Sequence, residues 1–262
     1  MKKLLVLCLS LALVFCFVCA QAEDDLLSRI RERGYIVVAT EGTWAPWTYH
    51  DESGELTGLD IEIARLIAEG LGVEARFEEP VWDAILPGVD SGRYDIACNG
   101  VGYTEKRAES YYFSTPYVYT QKVLVVSKDN EDIKTVEDLK GKTTANSSSS
   151  TYAALAEAYG ATVEPVDTLG ETVTLLRQGR VDATINARVS IEDYLRQQPD
   201  APIKIVQVLP GDPVAYPFSM SEKVNAASLV EAVNEILEQA RQDGRLAAIS
   251  VKYFGVDLTV PE

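Results

Sequence analysis

The stretch "CNGVGYTEKR", residues 98–107, sets two glycines among larger residues and then supplies Thr104, Glu105, Lys106 and Arg107. Residues 95–99 (DIACN) read as a buried strand and Thr104 as a helix start, so the stretch predicts a strand-to-helix turn. In open α/β sheets such turns lie beyond the carboxyl ends of strands, where ligands meet free N–H groups. Glycine at 100 and 102 lets the backbone approach a ligand with no Cβ between them, and Thr104 is a good N-cap. Arg107 falls in the first turn, where a cation opposes the helix dipole, so its presence wants a reason. A carboxylate would provide one, because guanidinium binds it through two parallel hydrogen bonds. An ordinary turn with a solvated arginine is the competing reading of these ten residues. A dinucleotide fingerprint is excluded, since the third glycine and the following ribose-binding acid are missing.

Outward from this turn, short β-branched runs alternate with longer amphipathic stretches, the signature of βαβ units around largely parallel sheets. Residues 35–40 (YIVVAT), 73–78 and 95–99 read as strands, with helices over 60–71 and 82–90 between them. The same grammar restarts at 122–127 (KVLVVS) and continues with strands at 143–146, 163–166 and 182–186. Helices are expected over 136–140, 151–159, 171–178 and 191–198, and an extended segment over 204–209. After a proline-bearing stretch, 210–217, come helical patterns over 226–242 and 245–253. Two modules of similar length predict two α/β lobes with a cleft between them, and 262 residues suffice for two cores.

Lys2, Lys3, an apolar run from Leu4 to Val18 and the Ala20-Gln21-Ala22 site read as an export signal, cleaved rather than kept as a membrane anchor. Cleavage removes two lysines and no acid, making the mature chain two units more negative than the full-length −16. So acidic a surface argues against nucleic acid and anionic membranes as partners. Cys8, Cys16 and Cys19 lie in the leader. Lipid attachment at Cys16 or Cys19 ranks second, because Phe15 and Val18 precede them where a small residue is wanted. The mature chain keeps Cys98 alone and has no internal disulfide.

Three segments carry a family resemblance: "VVATEGTWAPWTYHDESGELTGLDIEIARLIAEGLGV" (37–73), "WDAILPGVDSGRYDIACNGVGYTEKRAESYYFSTPY" (82–117) and "DIKTVEDLKGKTTA" (132–145). Together they resemble the periplasmic amino-acid-binding proteins of ABC importers, extracellular solute-binding protein family 3. The 99–104 segment and the 129–159 region look most like the cystine-binding subgroup. The resemblance implies a type II periplasmic-binding-protein fold: two α/β lobes, 23–120 with 216–262 and 121–215, joined by crossings near 119–123 and 215–220. It also implies a location in the periplasm or outside the cytoplasm, a small-molecule ligand, a membrane permease as partner, no cofactor and a monomer.

By that resemblance Arg107 would hold the ligand α-carboxylate, helped by backbone at Gly100 and Gly102 beside Asn99. Trp44 would stack on the ligand, Trp82 would line the same cleft, and Glu41 would meet a polar side chain. From the second lobe Asn146, Ser150, Thr151 and Asn186 match ligand-touching positions, whereas Trp47 is expected inside the first lobe. Two departures stand out. Relatives often carry Ser or Thr where Gly102 stands, and an aspartate that binds the ligand ammonium where this chain has Ala187. An uncompensated ammonium in a closed cleft is costly, so another acid such as Glu41 receives it or the ligand is not an ordinary α-amino acid.

A cyclohexadienyl-type dehydratase on the same fold is the enzymatic alternative, and a ligand-sensing module a third. Against catalysis, the single histidine, His50, lies in a solvated D-E-S-G context, and the chain has no H-E-x-x-H, metal-binding cysteine pair or G-x-S-x-G elbow.

Overall fold

The computed structural model describes residues 25–261. The leader, its three cysteines and its cleavage site lie outside the described residues. Helix α1 (Leu26–Arg33) opens the described chain, capped by Asp25, whose side chain accepts from Ser28 N at 2.7 Å. A first parallel sheet follows, built of β1 (Tyr35–Ala39), β5 (Glu74–Glu78) and β6 (Ile96–Ala97) in the order β5-β1-β6. Between β1 and β5 lie a small antiparallel sheet, β2 (Thr43–Trp44), β3 (Thr48–His50) and β4 (Leu56–Thr57), and helix α2 (Leu59–Leu71). Helix α2 buries Ile61, Ile63, Ala64, Leu66, Ile67, Ala68 and Leu71, as its apolar spacing predicts, and stops at the left-handed Gly72. Helix α3 (Trp82–Asp90) leads to β6, and the four-residue α4 (Glu105–Ala108) follows the opening turn.

After β7 (Tyr111–Phe113) and β8 (Val118–Tyr119) the chain enters a second sheet of five strands: β9 (Lys122–Ser127), β10 (Thr143–Asn146), β11 (Thr162–Pro165), β12 (Ala183–Ala187) and β13 (Ile203–Leu209). Their order is β11-β10-β12-β9-β13. Helices α5 (Thr151–Ala158), α6 (Leu169–Arg177) and α7 (Arg188–Gln197) join them, with a 3-10 turn at Val136–Leu139. The inner strand β9 explains why "KVLVV" shows no polar alternation. Val123 and Val125 pack with Val173, Leu176 and Ile191, while Leu124 and Val126 pack on the other face with Ile133, Leu139 and Ala156. A strand covered on both faces is apolar throughout.

Strand β9 departs from the largely parallel expectation, running antiparallel to both β12 and β13. It arrives from β8 directly, without the crossover helix that a parallel neighbour needs. The return path is β14 (Pro213–Val214), antiparallel to β8, and then β15 (Pro217–Ser219), antiparallel to β7. The crossed pair of connections thus meets at Val118–Tyr119 and Pro213–Val214, just before the 215–220 segment that the resemblance implied. Helices α8 (Ala227–Gln242) and α9 (Arg245–Phe254) return to the first core, where Leu229, Val233, Leu237 and Leu246 are buried with α1 and α2.

One carboxyl is buried completely in that core. Asp60, in the first turn of α2, accepts from Tyr117 Oη at 2.6 Å and Gly100 N at 2.5 Å. Burial pushes its pKa up to about 7 against the pull of those two bonds. The folded protein therefore keeps a proton that the unfolded chain releases from about pH 4 upward, so stability falls as pH rises towards about 7. Asp60→Asn, which can still accept from Gly100 N, is expected to flatten that fall in denaturant unfolding measured across the same window. A slope equal to the wild type's would remove Asp60 as its source.

Candidate ligand-binding cleft

All eleven residues expected at the site line one cavity between the two sheets, which encloses about 850 Å³ with its mouth. The first sheet presents Glu41 just after β1 and the 99–102 turn just after β6. Gly100 has φ +56, and a Cβ there would stand 2.6 Å from the Trp44 ring and 3.2 Å from Trp47. Only a bare backbone lets the aromatic floor come this close. That floor is a stack: Trp44 lies on Trp47 at 5.4 Å with an interplanar angle of 12°, and Trp47 meets the edge of Phe254. Trp47 is fully buried, as expected of it, although its ring also borders the cavity.

Thr104 caps α4 as predicted, its hydroxyl accepting from Arg107 N at 3.1 Å. The dipole argument for Arg107 does not carry over. A helix of four residues places Arg107 in its first and last turn at once. Arg107 is half-buried, and desolvation lowers its pKa while Asp212 opposes that shift. Arg107 Nη1 donates to Gly102 O at 2.9 Å and Nη2 to Ser149 O at 3.0 Å, and the guanidinium sits 5.5 Å from the Trp82 ring. Two of its five N–H donors are thereby used, and the residue lines the cavity.

Glu41 is positioned by Asn99, which accepts from Glu41 N at 2.8 Å and donates to its Oε2 at 2.6 Å. Desolvation, reinforced by the fields of Asp167 and Asp83, raises the Glu41 pKa to about 7. From the second sheet, Asn146 and Asn186 stand at or near the carboxyl ends of β10 and β12, and Ser150 caps α5 by accepting from Ala153 N at 3.1 Å. Thr151 begins that helix, so its free amides point at the cavity. Asn186 Oδ1 accepts from Trp44 Nε1 across the cleft at 3.3 Å. Asp83 likewise accepts from both Ser149 Oγ, at 2.6 Å, and Ser149 N, at 3.1 Å. Among the described residues, four buried polar atoms on side chains that line the cavity have no hydrogen-bond partner: Trp47 Nε1, Trp82 Nε1, Asn146 Oδ1 and Asp212 Oδ2.

Sequence reading missed Lys122, Tyr152, Asp167 and Asp212, all of which line the cavity. Asp212 lay in a stretch read as a connection, and Lys122 in one read as a core strand. Arg188 stays outside, paired with Glu192 and Gln121, and His50 is exposed at 3.5 Å from Glu79.

Comparison with known proteins matches residues 36–256 to the model of the bacterial extracellular solute-binding proteins, family 3. A probable amino-acid ABC transporter-binding protein of Haemophilus influenzae is 38% identical over 261 residues, covering 99% of this chain and 100% of its own. A solved ancestral arginine-binding protein bound to glutamine is 35% identical, covers 85% of this chain and 99% of its own, and superposes with a TM-score of 0.78. The L-cystine solute receptor of Neisseria gonorrhoeae, in its unliganded open conformation, is 37% identical over 90% of this chain and 100% of its own, with a TM-score of 0.57.

Gly100→Ala is expected to destabilise the protein by roughly 1–3 kcal/mol, from its left-handed backbone and the overlap with Trp44. Thermal unfolding with tryptophan fluorescence checks both. Unchanged stability and an unchanged spectrum would mean that the floor is not packed as described.

Proposed function

The chain belongs to the bacterial extracellular solute-binding proteins of family 3, and from that premise we propose that it is the amino-acid receptor of an ABC importer. The observation that carries this reading is Arg107, a half-buried, desolvated guanidinium in an interlobe cleft with three donors to spare. Such a group recognises a carboxylate bidentately, and the N-terminal amides of α5 add donors from the opposite side. Trp44 and Trp82 supply flat apolar faces for the rest of the solute. The lobes of this reading are 23–120 with 216–262 and 121–215, and β8 and β14 are the crossings about which they close. Closure assembles a surface drawn from both lobes, which the permease reads. Residues 1–22 direct export to the periplasm or beyond the cytoplasm, the receptor works as a monomer, and no cofactor takes part.

The relatives named above supply the candidate solutes: arginine and glutamine among them, and cystine for the subgroup that the sequence resembles. Glu41 and Asp167 at one end of the cleft favour a solute whose far end carries a cation or hydrogen-bond donors. Titration calorimetry with L-cystine, L-arginine and L-glutamine, on protein unfolded and refolded free of bound solute, tests the reading. At least one should bind, and Arg107→Met should weaken it on the order of 100-fold or more. No heat and no melting shift with any amino acid would overturn the proposal.

Glu41 adds a pH test. An ionised Glu41 attracts a cationic solute end, so L-arginine binding should strengthen as pH rises from about 5.5 to about 7.5, through the raised pKa of about 7. Glu41→Gln should flatten that dependence. Incubation with prephenate or arogenate should yield no aromatic product, and product formation would favour the dehydratase alternative instead.

A further inference from the structure

The two departures noted in the sequence, Gly102 and Ala187, converge on one ion pair. Ala187 stands at the end of β12, in register with Lys122 on β9, and Lys122 is also the partner of Leu209 on β13. Lys122 Nζ reaches Asp212 Oδ2 at 2.8 Å, and the two side chains are only 11% and 24% exposed. Asp212 in turn fills the space that a side chain at position 102 would need. A Cβ on Gly102 would stand 3.0 Å from both Asp212 Cβ and Asp212 Oδ2. A second glycine brings the acid there. Gly211 rests on the Thr120 carbonyl, where a Cβ would fall 1.7 Å from the oxygen, so only glycine lets the two crossings approach closely enough to turn Asp212 into the cleft.

The pair is not self-sufficient. The contact with Lys122 is an ion pair by distance but lacks hydrogen-bond alignment, and Asp212 Oδ2 is shielded from solvent with no hydrogen-bond donor. A buried carboxylate oxygen has lone pairs beyond the one that an ammonium faces, and a well-aligned donor in the cavity would complete it. Its neighbours are the proposed carboxylate receptor, Arg107, and Tyr152, both within its electrostatic reach. Glu41 is a poorer candidate for the α-ammonium. Its oxygens already accept from Asn99 and from the Trp82 amide, and its acidic neighbours are Asp167 and Asp83 rather than the groups around Arg107.

We propose that the Lys122–Asp212 pair replaces both missing groups. Asp212 receives the ligand α-ammonium in place of an acid at 187, and Lys122 supplies the donor that a hydroxyl at 102 would have given the α-carboxylate. The ligand is then an ordinary α-amino acid after all, read by an ion pair carried on the crossings instead of by the end of β12. Arg107 and Lys122 face the carboxylate, and Asp212 faces the ammonium while keeping its pair with Lys122, so each charge has an opposite charge beside it.

This inference rests on the amino-acid receptor reading, and its test separates the two. The tightest binder among a panel of L-amino acids that includes L-cystine, L-arginine and L-glutamine is compared by calorimetry with its α-deaminated counterpart. For those three the counterparts are 3,3′-dithiodipropionate, 5-guanidinopentanoate and 4-carbamoylbutanoate. Wild-type protein should prefer the amino form. The double variant Lys122→Gln/Asp212→Asn, which leaves neither charge buried alone, should lose that preference by about tenfold or more. Gly102→Ser, which presses on Asp212 without removing a charge, should reduce the preference as well and serves as the arm to read if the double variant does not fold. Wild-type preference retained in whichever of these variants folds overturns the ammonium receptor and leaves the amino-acid reading standing. Equal wild-type affinity for the amino and deaminated forms does the same, whereas failure of every amino acid to bind overturns both.

Discussion

A single buried carboxyl ties the cleft to the rest of the molecule. Asp60 has a hydroxyl and a backbone amide as partners rather than a cation, and the N-terminus of α2 supplies the compensating field. Each bond reaches a different part of the machinery. Gly100 belongs to the turn at the cleft floor. Tyr117 immediately precedes β8 and stacks at 4.3 Å and 10° on Tyr216, which immediately follows Ala215 on the returning connection. The Asp60 amide donates to Trp47 O, which fixes the lower ring of the aromatic floor. Turn, floor and both crossings therefore share one anchor, and the lobes can move about the crossings while the first-lobe half of the site keeps its shape.

Much of this was legible in the sequence, for reasons that particular residues make plain. Thr104 was readable because an N-cap needs only neighbouring backbone, and Gly100 because a glycine just past a strand end marks a close approach, here to the Trp44 ring. The strand β9 was readable because both of its faces are covered, which leaves a continuous apolar run. Arg107 was singled out on a dipole argument that a four-residue helix does not support, and burial is the better reason for its importance. Lys122 and Asp212 went unread because their significance is relational. One ends a strand that looks like core, the other sits in a proline-bearing connection, and 90 residues of sequence separate them. The clue available in advance was indirect: the two vacated positions, Gly102 and Ala187, implied that something else occupied their place.

The short sheets β2-β3-β4, β8-β14 and β7-β15 were missed for a related reason. Strands of two or three residues show no periodicity to detect, and their pairing is fixed by the approach of distant segments. Gly211 against Thr120 is the clearest case, since the glycine is silent in the local pattern and decisive only once the other crossing lies over it.

The cleft also reconciles a strongly acidic chain with recognition of a carboxylate. Net charge governs the potential far from the surface, where salt screens it within about 10 Å. Inside the cleft the relevant charges are few and poorly screened. Arg107 is desolvated, Lys122 is nearly enclosed, and Glu41 is held near neutrality by burial and by two nearby carboxylates. Partial neutralisation of Glu41 keeps the interior from becoming anionic overall while no solute is bound, and a cationic or donor-bearing solute end then restores its charge. The four cavity-lining atoms without a hydrogen-bond partner among the described residues, Trp47 Nε1, Trp82 Nε1, Asn146 Oδ1 and Asp212 Oδ2, follow the same logic. Two donors and two acceptors, from the aromatic floor, a helix start, a strand end and a crossing, line the space a solute would fill. In the receptor proposed above, a zwitterion lying among them would complete them, so that binding and closure are coupled.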